Sequence, residues 1–178
     1  MATGWCPPND FKKSELKLDV ENILISPDYG KAIISDRIFA ENSEYEKPEL
    51  IRKLTSLLHM PGIIIIPSLK GDIIGRADNT VRFLDDKTVL CNEALAQNGC
   101  EPQLQTILQY HGLDVSEFPF APKEETGTMG CYLNFLETDE AVFLPIFGIE
   151  TDEKAVATAE KLFSKPVEPV MIPNIAAE

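Results

Sequence analysis

The sequence predicts an α/β protein assembled from three copies of one strand–strand–helix–strand unit, and two observations lead there. The hydrophobic period changes in the same order three times, from two short β-branched runs to a helical stripe and back to a short apolar run. Each helical stretch also opens on proline or aspartate beside glutamate (Pro48-Glu49, Glu101-Pro102, Asp152-Glu153), with starts about 50 residues apart. Proline suits a first helical turn because its missing N–H has no partner there, and acids at that end complement the helix dipole. Repeats of this length signal propellers or solenoids.

In the first unit, residues 22–26 and 31–38 read as strands, 48–58 as a helix and 62–67 as an Ile-rich strand closed by Pro67. The second unit repeats this with strands at 79–84 and 87–92, a helix at 102–110 and a strand at 115–120; the third has strands at 132–136 and 141–147, a helix at 152–163 and a strand at 167–172. Asp85-Asp86-Lys87 and Thr138-Asp139-Glu140 supply hairpin turns. One apolar stripe per helix (Leu50, Ile51, Leu54, Leu57 and Leu58; Leu104, Ile107 and Leu108; Ala155, Val156, Ala159, Leu162 and Phe163) covers one face of a small sheet. A single three-layer parallel sheet is the competing arrangement, and the pair of strands before every helix argues against it. Residues 1–17 read as a tail and 18–178 as one domain, with units at about 18–70, 71–122 and 129–174 and a flexible Pro-, Lys- and Glu-containing loop near 123–129.

With 29 acidic against 16 basic side chains the net charge is −13, which repels nucleic acid and anionic membrane surfaces. No apolar run reaches the roughly 18 residues of a membrane span, and the first residues lack the apolar core of a signal peptide. The reading is a cytoplasmic protein with reduced thiols. The four cysteines form no Cys-x-x-Cys pair, and no metal site or cofactor is expected. His59 and His111 end the first two helices, where a side chain can meet free carbonyls. The acidic runs at 85–86, 124–125 and 137–140 fall in turns and read as solvated surface, or as a negative rim for a cation.

Two stretches go beyond pattern. Gly75-Arg76-Ala77-Asp78, followed by Arg82-Phe83, resembles the Gly-His-x-Asp and Arg-Phe signature of the agmatine deiminase and bacterial peptidyl-arginine deiminase family. Tyr132-Leu133-Asn134-Phe135, then Pro145, Phe147, Gly148, Asp152 and Ala155, is similar to that family's Tyr-Leu-Asn-Phe and Pro-x-Phe-Gly segment. Upstream, Asn22, Asp36-Arg37 and Glu41-Asn42 resemble a third landmark, in which two glycines precede the Asn; Val20 and Glu21 stand in their place.

The resemblance implies the pentein fold, a propeller of five ββαβ units around a substrate cleft, of which three are visible. Open sheet edges then invite a homo-oligomer, with 63–66 and 142–147 bordering an uncovered face. The implied chemistry is hydrolysis of a guanidinium: a cysteine thiolate attacks the carbon, a histidine moves protons, and carboxylates hold the cation. Asp78 matches a substrate-binding carboxylate, so the implied partner is a cationic guanidinium small molecule or an arginine side chain. Arg76 occupies the histidine position and cannot serve as a general base. The family's nucleophile motif and its early Trp-x-Arg-Asp motif have no match, so no catalytic set is intact and the chain is expected to be inactive. Of the cysteines, Cys91 and Cys131 read as small buried residues, Cys6 lies in the tail, and Cys100, just before a helix, is the candidate thiol. Two explanations stand side by side: a truncated deiminase, or a short non-catalytic pentein-fold module that binds a ligand or partner.

Overall fold

The computed structural model describes residues 14–68, 75–93, 101–120 and 131–172. Cys6, Cys100 and the loop at 123–129 lie outside the described residues, as does the side chain of Cys131.

Among the described residues, three separate three-stranded sheets form, one per unit. In the first, β1 (Ile23–Ile25) pairs antiparallel with β2 (Lys31–Ser35), and β2 pairs parallel with β3 (Gly62–Ile66). The antiparallel step needs only a turn, whereas the parallel return needs a crossover, which α2 (Lys47–Leu58) supplies after the short α1 (Arg37–Glu41). The second unit repeats the order with β4 (Val81–Phe83), β5 (Thr88–Asn92), α3 (Glu101–Tyr110) and β6 (Asp114–Phe118). The third has β7 (Leu136–Glu137), β8 (Val142–Ile146), α4 (Thr151–Leu162) and β9 (Val167–Met171). Pro48 sits in the first turn of α2, and His59 closes that helix in the left-handed region at φ 54°. No described helix is long and apolar enough to cross a membrane.

Two expected strands are corrected. The strand at 31–38 stops at Ser35, because its parallel partner β3 ends at Ile66 before Pro67 and offers no further ladder. The chain turns there, with Asp36 accepting from the Ser68 N–H at 3.0 Å, and α1 folds Ile38 into the core. The strand at 132–136 is mostly a 3-10 turn, Cys131–Asn134, which buries Tyr132 and Leu133 together; only Leu136–Glu137 pairs as strand. Alternation would have sent those two neighbours to opposite faces. The same device opens the other units, as the 3-10 turns Val20–Asn22 and Ala77–Asn79, each ending on asparagine.

The units stack so that the first two sheets are each covered on both faces. Ile34 packs on Leu50 and Leu54 of its own helix, while Ile33, Ile64 and Ile66 on the opposite face pack with Leu104, Leu108, Val81 and Val89 of the second unit. Residues 63–66 therefore border no uncovered face, contrary to the sequence reading, because alternate isoleucines serve two different interiors. The second sheet repeats the pattern: Val89 and Cys91 face α3, and Leu90 and Phe118 pack against Tyr132, Phe135 and Ala155 of the third unit.

Arg82 secures that second junction. Its Nη1 donates to the Leu133 carbonyl at 2.9 Å, and its guanidinium carbon lies 3.7 Å from the centroid of the Phe135 ring. Arg82→Lys keeps the charge and loses the planar stack, so it is expected to cost about 1–2 kcal/mol. A urea titration checks this; an unchanged midpoint would show the stack to be idle.

Candidate functional site

The first two 3-10 turns bring the candidate residues together, and Asn22 fixes their spacing. Its fully buried Oδ1 accepts from the Ser35 N–H of β2 at 3.1 Å and from the Ala77 N–H of the second turn at 3.0 Å. In the second unit, Asn92 Nδ2 donates to the Asn79 carbonyl at 2.9 Å. Gly75 delivers the chain into this turn at φ 64°, and its carbonyl accepts from Ser35 Oγ at 2.5 Å. A side chain at Gly75 would be strained at that φ and would sit 3.2 Å from Ser68 Cβ.

Arg76 then lies between two carboxylates. Its Nε donates to Asp78 Oδ1 at 3.1 Å, and its Nη1 pairs with Glu21 Oε2. The Arg76 and Asp78 side chains are each 22% exposed, and Glu21 is 57% exposed. Burial pushes the Asp78 carboxyl above its ordinary value; Arg76 pulls it down and Glu21 pushes it up, and the balance is a raised pKa. Beside this triad, Arg37 bonds Glu41 at 2.6 Å and lies 3.9 Å from Asp19, the residue that caps the first turn. The result is an acidic bay that already holds a guanidinium, that of Arg76.

Glu21 went unread as a site residue. The signal was present in the sequence: an acid stands where the resemblance has glycine, and a cation stands where it has histidine. Cys91 is buried in the interior at 3% exposure, and Cys100 lies outside the described residues. His59 and His111 sit at their helix ends; the His111 N–H bonds the Ile107 and Leu108 carbonyls. The turn acids are more engaged than a bare solvated surface implies: Asp85 accepts from the Lys87 and Thr88 N–H groups at 2.7 Å, and Asp86 accepts from the Asp28 N–H of the first unit at 2.7 Å.

The second signature stretch builds structure. Asp152 of α4 receives the Tyr132 hydroxyl at 2.6 Å and the N–H groups of Phe147, Gly148 and Ile149 at 3.1, 2.7 and 3.0 Å. One carboxylate thus joins the 3-10 turn, the end of β8 and the start of α4.

A family model described as Porphyromonas-type peptidyl-arginine deiminase matches residues 28–178. Among solved structures, a Cys-to-Ser variant of C. jejuni agmatine deiminase with substrate bound is 22% identical, with a TM-score of 0.72 over 91% of this chain and 53% of that one. Agmatine deiminase of Enterococcus faecalis is 17% identical, with a TM-score of 0.66 over 85% and 51% respectively. An amidinotransferase from Microseira wollei is 16% identical, with a TM-score of 0.55 over 90% and 41%. At these identities the likeness shows the fold alone, the pentein fold. The chain spans about half the length of the agmatine deiminases it matches. A comparison with curated proteins gave no match.

Proposed function

From the premise that the chain belongs to the Porphyromonas-type peptidyl-arginine deiminase family, we propose that it is an agmatine or peptidyl-arginine deiminase-like protein whose guanidinium site is filled by its own Arg76. The observation that carries this reading is the guanidinium of Arg76 held by Asp78 and Glu21. Asp78 is the substrate-binding carboxylate, and Arg76 does to it what an incoming agmatine or arginine side chain would do. The same substitution removes proton transfer, a contribution of roughly two to four orders of magnitude. The chain is therefore a non-catalytic member with a latent affinity for guanidinium cations. Its units, at about 18–70, 71–122 and 129–174, are successive propeller blades, and the buried cysteine Cys91 suits a reducing cytoplasm.

The 178-residue chain is expected to form no citrulline or carbamoyl-putrescine from peptidyl arginine, arginine or agmatine. Arg76→Ala should uncover the carboxylates, so that guanidinium and agmatine should shift its amide resonances near Asp78 in NMR titrations and should leave the wild-type spectrum unchanged. Turnover by the purified chain that disappears on thiol alkylation would overturn the inactive reading. An Arg76→Ala variant that is folded yet blind to guanidinium would overturn the filled-site reading.

A further inference from the structure

Three buried side-chain atoms have no hydrogen-bond partner among the described residues: Asn22 Nδ2, Asn92 Oδ1 and Glu41 Oε2. All three belong to the surroundings of Arg76. Asn22 follows Glu21, Asn92 bonds the residue after Asp78, and Glu41 bonds Arg37 beside Asp19. An unmatched buried polar atom lowers stability. Packing therefore does not account for two asparagines, at 0% and 3% exposure, that each leave one behind.

What the two asparagines hold is one short turn. Asn22 Oδ1 accepts from the N–H of Ala77, its first residue, at 3.0 Å, and Asn92 Nδ2 donates to the carbonyl of Asn79, its last, at 2.9 Å. Asp78 is the residue between them. The clamps come from different units. Asn22 ends the turn that carries Glu21 and also accepts from the Ser35 N–H of β2, whereas Asn92 ends β5. Amides suit this place because they add no charge among Asp19, Glu21, Glu41 and Asp78.

We propose that Asn22 and Asn92 are positioning residues of the guanidinium site, clamping the Ala77–Asn79 turn at both ends so that Asp78 and Glu21 meet one planar cation together. This deepens the reading of the Arg76 site and rests on it. A guanidinium engages two carboxylates only when both lie within reach of its edges, so a small shift of the turn is enough to lose one. The two clamps act through opposite chemistry: Asn22 accepts and Asn92 donates. Asn22→Asp keeps the accepting oxygen, whereas Asn22→Leu and Asn92→Leu keep the approximate shape and lose the bond.

Two NMR measurements test this. With Arg76 in place, exchange of its Nε–H, which bonds Asp78 Oδ1 at 3.1 Å, should quicken about tenfold or more relative to the amides of β8 in each leucine variant, and should stay near wild type in Asn22→Asp. In the Arg76→Ala background, each leucine substitution should weaken guanidinium binding about tenfold or more, and Asn22→Asp should not weaken it. Should a leucine variant fail to fold, as judged by circular dichroism, the alanine variant takes its place. Arg76 Nε–H exchange that is unchanged in the folded variants overturns the proposal. So does an Asn22→Asp variant as impaired as Asn22→Leu. If Arg76→Ala binds no guanidinium, the filled-site reading falls, and the exchange measurement still decides the clamp.

Discussion

Asp152→Ala should destabilise the chain by about 3 kcal/mol or more, because it strips a buried carboxylate from four donors and leaves them without an acceptor. The position is only 9% exposed, so water cannot take over in place. Asp152→Asn retains one acceptor oxygen and should lose about 2 kcal/mol, and Tyr132→Phe about 1–2 kcal/mol. Burial alone would push the Asp152 carboxyl up, but the Tyr132 hydroxyl and the Phe147, Ile149 and Gly148 N–H groups outweigh it and hold the pKa below 3.8. A lowered folded pKa contributes stability that is complete above the unfolded value and is lost as pH falls through the folded one. The gap between wild type and Asp152→Asn in urea unfolding should therefore shrink below about pH 4. A gap that stays constant from neutral to acid pH would show the carboxylate's charge to be irrelevant.

Arg76→Ala should cost about 1–3 kcal/mol at neutral pH, since Asp78 then keeps its burial and the nearby Glu21 but loses its cation. Asp78 already titrates above its ordinary value because burial disfavours its charge, and without Arg76 it moves further up. For a raised folded pKa the contribution is complete below the unfolded value and is lost as pH rises through the folded one. The variant should thus approach wild-type stability in acid and fall behind as pH rises through the raised folded pKa of Asp78, a window above 3.8, whereas the one for Asp152 lies below it. Glu21→Gln added to Arg76→Ala should restore only a small part, because Glu21 is 57% exposed and well screened. A neutral-pH difference that persists undiminished at pH 4 would mean that Arg76 acts through packing rather than charge.

By itself the sequence determined the repeat, since the order of hydrophobic periods and the marked helix starts are local properties of consecutive residues. Helices at 48–58, 102–110 and 152–163, each between a hairpin and a returning strand, agree with α2, α3 and α4 to within a residue or two. The family resemblance was also legible, because Gly75, Asp78, Tyr132 and Asp152 keep their types and spacing. What no local pattern contained was which surfaces meet. The run at 63–66 reads as uniformly apolar, and only the neighbouring unit shows that Ile64 and Ile66 belong to one interior and Ile63 and Ile65 to another. Tyr132 and Asp152 are 20 residues apart in the chain, and Glu21 and Arg76 are 55 apart, so neither pair is visible to periodicity. Tertiary structure decided both, for one physical reason: a buried or half-buried charge persists only where folding brings its partner, and that partner lies well beyond the reach of a local pattern along the chain.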